Sequence, residues 1–329
     1  MFVGPIKTTV ASVASAGLGA ITPGASVDGG LTFSEAIPSC HYLFRVENSQ
    51  TEWENFYGWW NGTTISRAAS QRVSSSTGAQ ITVTTASKVM IVIDPDDVMP
   101  GLGSGKWGIW NAPFNSTSVH NHGIAAPTAT GTAAAVNCSN TGLQTMSGAV
   151  QYTSAASNGA IVSLGTSSQT MRHTTAGRGG FDMRSRWGPL TLPVNSRLMI
   201  GAIATQITTT EPSASVNCAM FAKDSTDTNI QFMVNDASGV CTKVDTGFAP
   251  AGSADVVYEM SVFCPMGGGY VRPMFFRLDN GDCWVGAPIT TNLPASGTVL
   301  GPQVGFGSAP AATVSSVMRF NSMYLKNGF

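Results

Sequence analysis

Nowhere along this chain do apolar residues recur at helical spacing over ten or more positions between capping residues, and that absence constrains the fold more than any single motif. What recurs instead are short runs rich in Val, Ile, Thr, Phe, Tyr and Trp, separated by clusters of Gly, Ser, Asn, Asp and Pro. Successive side chains of a strand point to opposite faces, so each run can bury one face, and the breaks turn the chain back on itself. The pattern predicts an all-β protein. At 329 residues the chain has room for two domains, or for one large β domain with extensions.

The pattern changes along the chain and divides it into four parts. Residues 1–33 read as an extended arm. Residues 34–98 hold strand candidates at 41–46, 52–60, 64–67, 80–84 and 88–93, with turns at Asn61-Gly62 and Ser76-Thr77-Gly78, and predict a small β meander or barrel-like module. Residues 99–168 are dominated by Gly, Ala, Ser and Thr and read as a low-complexity spacer, or as the shaft of an oligomer in which small residues let strands from several chains approach an axis. Residues 169–329 are strand-dense again, with segments at 180–187, 197–207, 216–221, 230–234, 256–263, 271–278, 284–289 and 316–325, and predict an antiparallel, jelly-roll-like β-sandwich.

Only 11% of residues are charged, about half the share of an ordinary domain. With so little repulsion, a strand-rich chain is expected to consume its edges and apolar patches in defined assembly. The net charge of −1 leaves no basic field for nucleic acid or an anionic membrane surface. No run of apolar residues is long enough to insert into a bilayer. The first thirty residues, interrupted by Gly4-Pro5 and Lys7-Thr8-Thr9, do not read as an export signal, so the chain is expected to stay in the cytoplasm that makes it. The six cysteines show no metal-ligand spacing and mostly lie in apolar or alternating runs, which predicts buried, reduced thiols.

Catalytic chemistry has thin support. Asp94-Pro95-Asp96-Asp97 and Asp279-Asn280-Gly281-Asp282 could supply a pair of carboxylates, but both sit where Asp bends the chain, and no nucleophile elbow, phosphate loop or zinc motif is present. A non-enzymatic protein is expected, with no cofactor. In Val119-His120-Asn121-His122-Gly123 the two histidines stand at i and i+2 and share one face of an extended strand. Three chains around an axis would join six such imidazoles, making His120 and His122 candidate ligands for a transition-metal ion. Trp53, Tyr57, Trp59 and Trp60, followed by Trp107 and Trp110, are expected mainly in core or intersubunit packing.

Two stretches resemble parts of tailed-bacteriophage fibre-type proteins. The first comprises Phe44-Arg45-Val46-Glu47, Glu52-Trp53-Glu54, Tyr57-Gly58, Thr63-Thr64-Ile65-Ser66-Arg67 and Ser74-Ser75-Ser76-Thr77-Gly78, and resembles a small β module of virion proteins. The chain departs from that module in placing Phe56 where its first glycine would fall. The second comprises Gly179-Gly180-Phe181-Asp182-Met183-Arg184, Arg197 to Ala202, Ala222 to Asn229, Asp245-Thr246-Gly247-Phe248, Tyr258-Glu259-Met260, Asn292-Leu293-Pro294 and Tyr324-Leu325, and looks like the lectin-like sandwich at fibre ends.

The resemblance implies a virion component assembled in the host cytoplasm, homotrimeric, with the arm at 1–33 attached to the particle and the sandwich facing outward. Its expected partners are itself, other proteins of tail, baseplate or capsid, and a host-surface glycan or protein met by loops near 224–229 or 279–282. Fibres of this kind use His-x-His to hold a metal on the trimer axis. The alternatives are a capsid decoration or baseplate adaptor without receptor binding, and a polysaccharide-cleaving tailspike.

Overall fold

The computed structural model describes residues 7–27, 32–36, 40–69, 72–92, 107–113, 116–123, 125–129, 131–137, 139, 141–146, 148–166, 169–175, 179–205 and 210–327. The chain forms two compact units, one of residues 1–99 with 280–285, the other of 100–279 with 286–329.

The first unit is built on one antiparallel sheet. Its strands are β1 (Lys7–Val13), β2 (Ile21–Ser26), β3 (Cys40–Glu47), β4 (Trp53–Trp60), β5 (Arg72–Ser75) and β6 (Lys88–Ile91), in the order β2-β1-β6-β3-β4-β5. Alternation along β4 buries Glu54, Phe56, Gly58 and Trp60 and leaves Trp53, Asn55, Tyr57 and Trp59 half-buried. The buried set joins Val10, Ile21, Phe33, Phe44, Val46, Ile65, Ile81, Val83 and Val89 in one core. Phe33 meets Phe44 at 5.7 Å and Trp60 at 5.8 Å between ring centroids. The Asn61-Gly62 turn forms as expected: Gly62 takes φ 94°, and Asn61 Oδ1 accepts the amides of Thr63 and Thr64 at 2.9 and 2.7 Å.

Two expectations need correction here. Residues 7–26 are not a free arm: β1 pairs with β6 and β2, and Val10 and Ile21 are core residues. The low charge and many small residues of this stretch resemble a linker in sequence, but β-ladder bonds require only backbone, and Val10, Ile21 and the half-buried Val13 seat it on the core. Segments 64–67 and 80–84 are extended but lie outside the named strands, Ile65 making isolated bridges to Ile21 and Trp60. A few backbone hydrogen bonds, such as those between Ile65 and Ile21 and from Val83 to Gly17, hold these segments, and side-chain hydrogen bonds add to them. Arg67 reaches the carbonyls of Gly17 at 3.0 Å and Ile81 at 2.6 Å, and Glu54 accepts the Ile81 amide at 2.9 Å.

The second unit is an antiparallel β-sandwich. Its strands, in chain order, are β7 (Trp107–Asn111), β8 (His120–His122), β9 (Thr128–Ala129), β10 (Thr132–Val136), β11 (Ala149–Thr153), β12 (Ile161–Gly165), β13 (Thr170–Met171), β14 (Phe181–Thr191), β15 (Ser196–Ile203), β16 (Cys218–Lys223), β17 (Gln231–Asn235), β18 (Thr242–Asp245), β19 (Tyr258–Cys264) and β20 (Arg272–Arg277). The short β21 (Cys283–Val285) falls in the segment grouped with the first unit. β22 (Val299–Ser308) and β23 (Val317–Asn327) complete the sandwich. The front sheet runs β10-β11-β23-β14-β19-β20, with β7 on β23 and β8 on β7. The back sheet runs β18-β17-β16-β15-β22-β12-β9, with β13 on β22. Between them, Phe275 of the front sheet lies 5.3 Å from Phe221 of the back, and Tyr258 and Trp187 extend the aromatic core at 5.1 and 5.0 Å. Each such side chain, fully buried, contributes about 1.5–3 kcal/mol.

The stretch expected as a spacer supplies strands to both sheets. β10 pairs with β11, β11 with β23, and β12 with β22. Strands β7 to β12 thus belong to the sandwich. β22 also escapes the sequence pattern. Its glycines at 301, 305 and 307 read as turn signals, yet the strand lies between β15 and β12 with nearly every residue buried. A Cβ on Gly305 would stand 2.7 Å from the Met199 methyl, so glycine there serves close packing. The expected strand at 284–289 is reduced to β21 and a bridge from Ile289 to Val271.

Candidate functional site

The charge that this chain does carry is placed unevenly, and the front sheet shows how. Along Phe181-Asp182-Met183-Arg184-Ser185-Arg186-Trp187 the odd-numbered positions are buried and the even-numbered ones half-buried. Strand geometry therefore sends Phe181, Met183 and Trp187 into the core and Asp182, Arg184 and Arg186 to the outer face. β23 repeats the alternation, with Met323 and Leu325 inward and Ser322, Tyr324 and Lys326 outward.

Register aligns these residues in rows. His122, Ile109, Tyr324, Arg184 and Ser261 lie opposite one another across five strands. His120, Asn111, Ser322, Arg186 and Glu259 form the next row. Lys326, Asp182, Phe263 and Arg272 form a third. Arg319, on the same side of β23, contacts Gln151 at 3.3 Å. The outer face thus gathers five cations, Arg184, Arg186, Arg272, Arg319 and Lys326, against Asp182 and Glu259, in a chain of net charge −1.

The arginines are held in place by the two acids. Arg186 donates from Nε and Nη2 to Glu259 Oε2 at 3.2 and 2.6 Å. Arg184 donates from Nη2 to Asp182 Oδ2 at 3.0 Å, and the Ser261 hydroxyl donates to Asp182 Oδ1 at 3.4 Å. The Arg186 side chain remains 42% exposed and that of Glu259 34%. Guanidinium forks present donors in fixed planes, suited to carboxylate or phosphate oxygens. With the half-buried Tyr324 and Ser322 beside them, the face can bind an oxygen-rich ligand along several strands.

His120 and His122, proposed from sequence as metal ligands, stand on one face of β8 as their spacing requires, and both are exposed. They border the same outer face. Among the described residues no group of three or more metal-ligating side chains occurs, so the two imidazoles of one chain do not by themselves make a metal centre.

The loops expected to meet a receptor are braced by ion pairs and hydrogen bonds of their own. Lys243 Nζ lies 2.8 Å from carboxylate oxygens of both Asp224 and Asp227, Glu211 accepts the Ser225 amide at 2.9 Å, and Asn229 donates to Asp245 at 3.1 Å. Burial alone would lower the Lys243 ammonium pKa, but the two aspartates outweigh it and hold it above the ordinary lysine value. In the other loop, Arg277 grips Asp279 at 2.8 Å and Asn280 donates to Asp282 at 2.6 Å. Asp94 to Asp97 lie outside the described residues.

The aromatic cluster divides. Trp60 and Trp110 are core residues, the latter donating to the Ala125 carbonyl at 2.9 Å, while Trp53 lies under the Arg45 guanidinium at 4.6 Å. The Trp107 side chain lies outside the described set, as do those of Cys40 and Cys138. Cys218, Cys241 and Cys264 are buried and Cys283 is half-buried, all four as thiols outside any disulfide.

Sequence reasoning did not single out the outer face, because it read 180–187 and 316–325 as strands and quoted Arg184 and Tyr324 only within motifs. The signal was available: in a chain so poor in charge, Asp182, Arg184 and Arg186 at period two mark a strand whose wet face is charged.

No family model matches the sequence, and no curated protein matches it. Among solved structures the chain is similar to a protein of unknown function from Shewanella oneidensis MR-1, with a TM-score of 0.46 and 11% identity over 72% of this chain and 95% of that one. It is also similar to arcelin-5, a lectin-like defense protein from Phaseolus vulgaris, with a TM-score of 0.42 and 7% identity over 69% and 100%. A family 7 alginate lyase follows, with a TM-score of 0.38 and 10% identity over 68% and 95%.

Proposed function

We propose that this chain is a non-enzymatic, fibre-like structural protein of a tailed-phage virion and that its sandwich attaches the particle to the host surface. The observation that carries the reading is the outer face of the front sheet, where arginines, a tyrosine and serines stand in register on adjacent strands. Half-exposed arginines held by neighbouring carboxylates keep this face wet and charged in a chain that is otherwise poor in charge. The virion assignment rests on the resemblance in sequence, whose Glu54 and Arg67 here form the buried ion pair of the first unit.

Assembly as a homotrimer would present three such faces on one object, so that contacts weak one by one become strong together. The scarcity of charge suits a chain whose surface is shared with other chains.

The test has two arms. Antibody raised against the purified chain is expected to label the tail or capsid of intact virions by immunogold microscopy, and fluorescent protein is expected to bind saturably to cells those virions infect. Virions without label overturn the virion assignment. Label without cell binding overturns attachment and supports a decoration or adaptor role. Loss of surface polymer on incubation with the protein overturns its non-enzymatic nature.

A further inference from the structure

We propose that the outer face of the front sheet binds an acidic polysaccharide, one that carries carboxylates on its sugar repeats. The inference rests on the attachment reading above and names the chemistry of what is bound.

Three features of the face select this ligand. The first is charge: Arg184, Arg186, Arg272, Arg319 and Lys326 outnumber Asp182 and Glu259, although the whole chain has slightly more acidic than basic residues. The second is spacing. Outward residues recur about every 6.8 Å along a strand, and neighbouring strands lie about 4.8 Å apart, the scale of one sugar unit. The third is mixture. Asp182 and Glu259 sit among the arginines and can accept hydrogen bonds from sugar hydroxyls, while Tyr324 and the exposed Phe263 offer ring surfaces to the apolar faces of sugars.

The same mixture disfavours nucleic acid. A phosphodiester strand carries a charge on every nucleotide and would bring phosphates against Asp182 and Glu259 as often as against the arginines. A polysaccharide with one carboxylate per repeat can set its charges on the guanidinium forks and its hydroxyls on the acids. In binding, ligand carboxylates engage the half-exposed Arg186 guanidinium, which Glu259 holds in plane.

The test uses the full chain with polygalacturonate and polysialic acid as probes, and with dextran, carboxyl-reduced polygalacturonate and an oligothymidylate as controls, read by affinity electrophoresis and calorimetry. Binding to at least one acidic polymer is expected, weakening as salt rises and absent with dextran and the reduced polymer. Arg186→Gln and Lys326→Gln, both at partly exposed positions, should each weaken it about tenfold with the melting temperature unchanged, and Lys88→Gln in the first unit should leave it intact. Lack of binding to both acidic polymers, equal binding to dextran, tighter binding to the oligonucleotide, or indifference to Arg186→Gln and Lys326→Gln overturns the proposal. Saturable binding to cells alongside failure with both acidic polymers would overturn this inference and leave attachment standing.

Discussion

Arg67 and Glu54 form a wholly buried ion pair in the first unit, with Arg67 Nη2 2.7 Å from Glu54 Oε2 and both side chains shielded from solvent. The pair is satisfied on every side, because Arg67 also reaches the carbonyls of Gly17 and Ile81, and Glu54 accepts the Ile81 amide. It therefore links β4, the N-terminal segment and the extended stretch at residue 81 through one charged centre. Glu54→Ala leaves the guanidinium buried without its counter-charge and is expected to cost about 3–5 kcal/mol. Replacing both partners by apolar residues of similar size should cost much less. Chemical denaturation of the two variants checks the difference, and equal losses would show that the uncompensated charge is not what makes Glu54→Ala costly.

Removal of residues 1–27 takes away β1, β2 and the core side chains Val10 and Ile21. The truncated chain is expected to lose the cooperative unfolding transition of the first unit while keeping that of the sandwich. Calorimetry showing both transitions intact would mean that the strands are dispensable and that this stretch is an arm after all.

Alkaline pH should weaken the sandwich. Burial raises the Tyr152 hydroxyl from 10.0 to about 12, and burial, only partly offset by Arg172, raises the Cys264 thiol from 9.0 to about 12. A group raised on folding contributes stability that is complete below its unfolded value and lost as pH climbs to the folded one. The loss is thus expected between pH 9 and 12. Denaturation midpoints of the sandwich at pH 8 and 11 measure it, and Tyr152→Phe should flatten the part of the profile above pH 10.

Buried thiols should be inert in the native protein. Cys218 and Cys241 stand 3.5 Å apart, and the hydrogen bond to Cys241 together with burial pushes the Cys218 thiol well above its ordinary value. Alkylating reagent at pH 8 is expected to miss Cys218, Cys241 and Cys264 in the folded chain and to label them after denaturation. Rapid native labelling of any of the three would contradict their burial.

The residues that could be placed from sequence are those whose alternation is strong. β4, β14 and β23 show charged or aromatic residues against apolar ones at period two, and the Asn61-Gly62 turn declares itself by its chemistry. β1, β10 and β22 could not be placed, because Thr, Ala and Gly carry little pattern of their own. They become strands through the ladder offered by their neighbours, and Gly305 has a place because Met199 fills the space above it. The outer face was half legible. His120 and His122 stood out by spacing, and Arg184 and Tyr324 appeared only within quoted motifs. That they share a row depends on long-range register between β8, β7, β23 and β14, which no local pattern encodes.

The most direct test of the account is the binding of labelled full-length protein to cells that its virions infect, compared between the native chain and an Arg184→Gln/Arg186→Gln variant with an unchanged melting profile. The account predicts at least about a tenfold loss of affinity in the variant. Undiminished binding would place the attachment site elsewhere and contradict it.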